Sequence, residues 1–257
     1  YGGCFGNTSC NGANAISNAT NANGTPVDMT LAGTYANWDT TNVWNIVPGQ
    51  SYPYLRDFYS SAPRAISGIH PTNARFNGVS IAVNGSIMDS TTTYYNGAFY
   101  LLEGYNNISK VDHSIADNAG IVVMSTSGTY ANYVTYAPQN GASLSVSKPV
   151  VLTANTITAD TSETNNLLIT PFSNSQITAA INGLSSPYLL LSNSGNNLTI
   201  ANGYSFTIPT STPYTLNGDI TLTNGTLTIN SPLTLSAASS TLKTNSSGDI
   251  NLSGITG

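Results

Sequence analysis

Charge is what this chain has least of. Only 7% of its 257 residues are Asp, Glu, Lys or Arg, against about 25% in an ordinary soluble domain. Six Lys and Arg spread over the whole length leave no basic footprint for nucleic acid. A net charge of −5 beside 40% hydrophobic residues excludes a disordered chain, which combines high net charge with low hydrophobicity. Long apolar runs are missing as well. The longest, Gly120–Met124 and Tyr188–Leu191, are strand-sized and far short of the ~18 residues that suggest a membrane span. The chain opens on Tyr1 with neither Met nor a basic, apolar leader, and is expected to be a mature product or an excised piece of something longer.

Cysteine is scarce. Cys4 and Cys10 are the two in the sequence, and a metal site would need further ligands, with His70 and His113 remote. The pair is expected to form a local disulfide that pins the N-terminus, which implies an oxidising, extracellular compartment. No motif calls for a cofactor.

What the chain has instead is small polar residues. Asn, Ser and Thr number 32, 32 and 34, so 98 of 257 positions. Composition changes near residue 137. Residues 1–136 hold both Trp, twelve of fifteen Tyr and eleven of seventeen charged residues. Residues 137–257 alternate Leu or Ile with Thr, Ser or Asn, as in Asn197-Leu-Thr-Ile200, Ser205-Phe-Thr-Ile208, Asp219-Ile-Thr-Leu-Thr223 and Thr226-Leu-Thr-Ile229. Period-two alternation over four to six residues marks a half-buried strand, and β-branched side chains suit a pleated surface. Ten Asn-Gly dipeptides supply the positive φ of tight turns. No stretch has a helical period. The class is all-β, with an aromatic-rich N-terminal region (1–136) and a strand-repeat region (137–257).

Internal echoes choose among all-β folds. Gly218-Asp219-Ile220-Thr-Leu222 recurs thirty residues later as Gly248-Asp249-Ile250-Asn-Leu252, and Leu198-Thr-Ile200 falls on Leu227-Thr-Ile229 at a shift of twenty-nine. Offsets of that size point to a solenoid whose coils bury their apolar rows by stacking. A parallel β-helix is expected, with a β-sandwich or Greek-key arrangement as the alternative.

The segment Trp38-Asp-Thr-Thr-Asn-Val-Trp44-Asn-Ile46-Val-Pro-Gly49-Gln-Ser51-Tyr52-Pro53-Tyr54-Leu55 resembles the closing segment of GLUG-motif repeat regions in bacterial surface proteins. Residues 190–257, with the cadence of Asn224-Gly-Thr-Leu-Thr-Ile-Asn-Ser-Pro-Leu-Thr-Leu-Ser236, resemble the repeats of filamentous haemagglutinins and other two-partner-secreted exoproteins. Together the resemblances imply a secreted, adhesin-like β-helix; residues 56–136 match neither. Trp38, Trp44, Tyr52, Pro53, Tyr54 and Leu55 are expected to form a plug closing the end of the stack, because an open end exposes apolar rungs and unpaired strands.

Three constellations bear on chemistry. Lys110-Val-Asp112-His113-Ser-Ile-Ala-Asp117 is the densest ionisable group, but neighbouring residues on a strand face opposite sides, so Asp112 does not naturally orient His113. Asp219 and Asp249, one thirty-residue coil apart, would stack about 4.8 Å from each other and share a proton or a cation, unless each merely caps its own turn. Thr-X-Thr pairs at 156/158, 221/223 and 226/228 could form a flat rank for ice or polysaccharide, yet at a thirty-residue shift Thr221 and Thr223 become Asn251 and Ser253. No set supports catalysis. The expected function is an extracellular structural or adhesive protein, part of a surface exoprotein or a fibre subunit. Its partners would be further copies joined head to tail by strand addition, or a cell-surface glycan. A carbohydrate-active β-helix enzyme and a glycan- or ice-binding module are the alternatives.

Overall fold

The computed structural model describes residues 32–256 except 36, 49–50, 60–62, 73, 94–96, 106–111, 140, 142–148, 162–171, 210–211, 237–239 and 254. In chain order, a short ladder of β1 (Trp44–Asn45) and β2 (Tyr54–Leu55) precedes β3 (Ala65–Ile69). Next come the hairpin β4 (Gly78–Val83) and β5 (Ser86–Thr92), then β6 (Ala98–Leu102). A second short ladder, β7 (Gly104–Tyr105) with β8 (Asp112–His113), leads to the pair β9 (Gly120–Ser125) and β10 (Asn132–Tyr136). The hairpin turn of Asn84 and Gly85, with φ of 45° and 76°, is the two-residue loop whose twist matches the strands it joins.

From β10 onward the chain winds into a parallel β-solenoid of about four turns over residues 132–252. Entry is through β11 (Val150–Val151), β12 (Thr156–Ala159), β13 (Phe172–Ser173), helix α1 (Asn174–Ile181) and β14 (Leu191–Ser194). One three-sided coil follows as β15 (Asn197–Ile200), β16 (Ser205–Ile208) and β17 (Tyr214–Leu216), and the next as β18 (Ile220–Thr223), β19 (Leu227–Ile229) and β20 (Leu233–Leu235). Strands β21 (Leu242–Asn245), β22 (Ile250–Leu252) and β23 (Ile255–Thr256) make the last. Each face is one parallel sheet: β15-β18-β21, β12-β16-β19-β22 and β13-β17-β20-β23. Inward residues stack like on like, as in Ile157–Phe206–Leu227–Ile250 and Leu198–Ile220–Leu242.

The β-helix is present, but its coil is not the thirty-residue unit of the sequence echoes. Ile220 pairs with Leu242, twenty-two residues on, while Ile250 pairs with Leu227 on a different face. The reason is that all three faces carry the same apolar-Thr-apolar unit. A shift of twenty-nine or thirty therefore advances the chain by one coil and one face, and still aligns like with like. A better marker of the coil is proline, with Pro213 and Pro232 each standing just before a strand of the same face, β17 and β20.

Coils of this size need tight corners. The residues entering β12, β16, β19 and β22 include Asn155, Gly203, Asn224 and Ser246 at φ of 54°, 83°, 54° and 66°. In Asn224-Gly225 the asparagine takes the left-handed conformation, and Asn224 Nδ2 donates to Asn202 Oδ1 of the preceding coil at 2.9 Å. Gly225 is required for a different reason. A Cβ there would lie 1.9 Å from the Tyr204 carbonyl oxygen of the coil before.

The face that begins with β12 does not stop at the solenoid. β10 pairs parallel with β12 and antiparallel with β9, and β4 and β5 extend the same sheet to eight strands. A three-stranded sheet, β11-β3-β6, packs over this antiparallel end. All six residues of β9 are buried, as an uninterrupted apolar run requires of a strand covered on both faces. Ile121 and Val123 meet Ile66, Phe99 and Val150 of the small sheet, and Val122 and Met124 meet the solenoid core and Ile177 of α1. The small sheet crosses the compositional change near residue 137, because β11 pairs with β3.

A polar pair lies inside the solenoid. Tyr214, fully buried, donates from its hydroxyl to Asn174 Oδ1 at 2.7 Å, and Asn174 Nδ2 donates to the carbonyls of Asn196 and Asp219 at 3.1 and 3.2 Å. That amide stitches successive coils at a corner.

The inward–outward register is testable with adjacent residues of β19. Leu227→Ala should destabilise the protein by about 2–5 kcal/mol, the cost of deleting a buried leucine side chain. Thr228→Ala, on the outer face of the same strand, should stay within about 0.5 kcal/mol of the parent. Urea denaturation followed by circular dichroism measures both, and equal losses would contradict the register.

Candidate functional site

The ionisable cluster of residues 110–117 is divided by the fold. Asp112 and His113 lie on β8, paired with Tyr105 and Gly104, whereas Asp117 forms an ion pair with Arg64 at the start of β3. Arg64 is 5% exposed, and its Nη1 also donates to the Pro138 carbonyl at 2.6 Å. Glu103 completes the network, accepting from the backbone N–H groups of Arg64 at 2.8 Å and Ile115 at 2.7 Å. Burial pulls the Arg64 guanidinium below its ordinary pKa, and the nearby Glu103 charge opposes that shift. The carboxylates here satisfy a buried cation and backbone donors. They clasp one end of the two-sheet region and do not converge on open space.

Asp219 and Asp249 do not stack. The residues level with Asp219 on neighbouring coils are Asn197 and Thr241. Its backbone N–H takes Asn197 Oδ1 at 2.8 Å, and its Oδ1 accepts from the Thr241 N–H at 2.7 Å. Asp249 lies beside β19, its carbonyl accepting from Leu227 N–H. The carboxylates belong to different faces, so neither a shared proton nor a shared cation follows. Among the described residues no three His, Cys, Asp or Glu side chains group to hold a metal ion.

A serine–histidine contact not apparent in the sequence does form. His70 Nε2 lies 2.7 Å from Ser125 Oγ, across fifty-five residues of chain. Both side chains are buried, at 1% and 0% exposure. The other ring nitrogen, Nδ1, accepts from the Thr72 backbone N–H at 3.2 Å, where a catalytic triad would place a carboxylate. Ser125 Oγ also reaches the carbonyls of Ser127 and Thr129 at 3.0 and 2.8 Å. With its hydroxyl enclosed, this pair holds a turn and has no access to substrate.

The aromatic segment covers a sheet. Trp38 and Trp44 stack with centroids 4.6 Å apart, Tyr52 meets Tyr100 of β6 at 4.9 Å, and the Tyr52 N–H donates to the Tyr100 hydroxyl at 3.2 Å. Tyr54 and Ser51 are buried, Pro53 is half-buried and Leu55 pairs with Trp44 in the β1–β2 ladder. These residues lie over the outer side of the β11-β3-β6 sheet, while α1 and β9 cover the first solenoid coil. A cleft of about 300 Å³ beside the segment is lined by Tyr35, Thr40, Asn45 and Arg56. The Arg56 guanidinium is committed there to the carbonyls of Thr40 and Trp44. Cys4 and Cys10 lie outside the described residues.

The outer solenoid faces carry the most regular pattern. With a coil of about twenty-two residues the threonines align after all: Thr158–Thr207–Thr228–Asn251 on one face, Thr199–Thr221–Lys243 on another, and Thr215–Thr234 on the third. On the first face a parallel column runs through Thr156 and Ser205, and the Thr226 N–H donates to Ser205 Oγ at 3.2 Å. Spacings of about 4.8 Å across strands and roughly 7 Å along them follow from sheet geometry. The result is a surface of hydroxyls and amides with little charge.

Removing the guanidinium takes the donor from the Pro138 carbonyl and the cation from Asp117, so Arg64→Met should cost about 1–3 kcal/mol. The Arg64→Met, Asp117→Asn double variant should recover part of that loss. Thermal denaturation of the single and double variants checks this, and additive losses would argue against a coupled network.

No family model, no curated protein and no solved structure matches the chain.

Proposed function

We propose that this chain is an extracellular, non-enzymatic structural or adhesive protein, part of a surface exoprotein or a subunit of a fibre. One observation carries the reading: the solenoid turns aligned columns of Thr outward on its three faces. Such a surface suits repeated shallow contact with a hydroxyl-rich polymer or with another copy of itself. Acid–base catalysis needs titratable groups within hydrogen-bond reach of a substrate. The groups described above are instead spent on backbone donors, buried cations and turns.

Self-association by strand addition is the favoured mode. β22 is an edge strand of the eight-stranded sheet, with its own Ile250 41% exposed and Leu235 49% exposed on the neighbouring face. Unpaired strand edges template further strands, low charge removes the repulsion that opposes contact, and a head-to-tail contact that does not close builds a filament. A disulfide between Cys4 and Cys10 belongs to the same extracellular reading.

The aligned Thr columns favour a second reading, a glycan- or ice-binding module. Electron microscopy and sedimentation of concentrated protein separate the two, together with retention on insoluble cellulose and chitin. The adhesive-fibre reading expects filaments, and Ile250→Lys should abolish them while leaving β-sheet circular dichroism intact. The binding-module reading expects monomers whose retention falls at least tenfold in the Thr207→Lys, Thr228→Lys variant. Monodisperse particles without retention would sink both.

A further inference from the structure

We propose that His70 is a pH-sensitive clasp, which in its neutral form holds the β9–β10 turn against the loop after β3, and which acid opens. The imidazole joins its own loop to the end of β9, and the His70 backbone ties in a third piece of chain. Its Nε2 meets Ser125 Oγ at the end of β9 at 2.7 Å, and Ser125 in turn reaches the Ser127 and Thr129 carbonyls of the turn. Its Nδ1 accepts from the Thr72 N–H at 3.2 Å and lies 2.9 Å from Thr72 Oγ1. The His70 N–H donates to the Gly97 carbonyl just before β6 at 2.8 Å. Turn and loop are tied directly as well, by the Gly78 N–H donating to Ser127 Oγ at 2.7 Å.

These contacts assign the neutral tautomer, with the proton on Nε2 donated to Ser125 and Nδ1 left as acceptor. A second proton on Nδ1 would displace the Thr72 N–H and have to turn to Thr72 Oγ1, which already accepts from Asn77 Nδ2. The ring's surroundings are all neutral: Thr72 in its own loop with Asn77 behind it, Ser125 on β9, Ser127 and Gly128 in the turn, and Gly97 before β6. The nearest cation along the loop, Arg75, has its guanidinium carbon 5.1 Å from the centre of the Phe76 ring. Among the described residues no carboxylate contacts the ring to compensate an imidazolium, and a buried charge without a partner is expelled or neutralised.

Burial holds His70 below its ordinary value, with the Thr72 and Ser127 backbone groups offsetting only part of the effect. The sign follows by linkage. A histidine with a folded pKa below the unfolded value of about 6.5 stabilises the fold fully above that pH. The contribution is lost as pH falls from there through the folded pKa. Acid thus acts on one turn and one loop, while the β9–β10 ladder keeps its own backbone hydrogen bonds.

The test uses the full chain carrying His113→Gln, which leaves a single imidazole. The His70 Cε1 proton should titrate below pH 6.5. Over the same pH range the Thr72 and Gly78 amides, which donate to His70 Nδ1 and Ser127 Oγ, should lose exchange protection at least tenfold after correction for intrinsic rates, with Val123 in β9 unchanged. Titration at or above 6.5, or an equal loss at Val123, would overturn the clasp. His70→Asn adds an independent reading. It should remove the pH dependence of the melting temperature between about pH 5 and 7, whereas a lower melting temperature with an unchanged pH slope would show a purely structural histidine. Should that variant fail to fold, the titration and exchange data from the single-histidine protein decide alone.

Discussion

The pairing of β10 with β12 on one side and β9 on the other is the constraint on which the rest depends. Across that pair a parallel solenoid sheet becomes an antiparallel one without losing a backbone hydrogen-bond partner. The end of a solenoid is a free strand edge over an exposed apolar interior, and here the transition covers it. β9 supplies the lid because it is apolar on both sides, sending Val122 and Met124 into the coil and Ile121 and Val123 into the small sheet. Gly120 lets α1 come close, since a Cβ at that position would lie 2.7 Å from Ala180 Cα.

Beyond that lid, each coil repeats one solution. Leu, Ile and Phe point inward and Thr, Ser and Asn outward, so each coil adds a layer of apolar burial and a layer of surface hydroxyls. Burying each such side chain contributes about 1.5–3 kcal/mol, and stacking realises it only when coils are level with one another. The corner asparagines and glycines enforce that level. They permit left-handed turns and bring the backbone of one coil into contact with the next.

Buried polar side chains join distant parts of the chain in a few networks. Tyr214 and Asn174 answer each other within the solenoid, and burial raises the Tyr214 hydroxyl well above its ordinary pKa. Tyr136, at the junction, donates to the Gln176 carbonyl of α1 at 2.7 Å and is pushed up to about 12 by burial. Arg64, Glu103 and Asp117 do the same work with charge at the far end of the two-sheet region. Each network ties segments distant in sequence, and this is the specificity that a repetitive apolar core lacks.

Local patterning by itself determined the all-β class, the strands around 197–200, 205–208, 220–223 and 227–229, turns at Asn-Gly sites such as 84–85 and 224–225, and the neutral surface, but not helix α1. These follow from alternation and from backbone preferences that act within a few residues. The doubly buried β9 was visible as the run Gly120–Met124. Tertiary structure decided the coil length, because three faces built from one apolar-Thr-apolar unit make every face-sized shift look like a repeat in one dimension. It therefore also decided that Asp219 lies beside Asn197 and Thr241, away from Asp249, and that the threonines align. The contacts of His70 with Ser125 and of Arg64 with Asp117 were beyond local reading for a related reason. Each joins residues more than fifty positions apart, and only the packing of one sheet on another brings such side chains within hydrogen-bond distance.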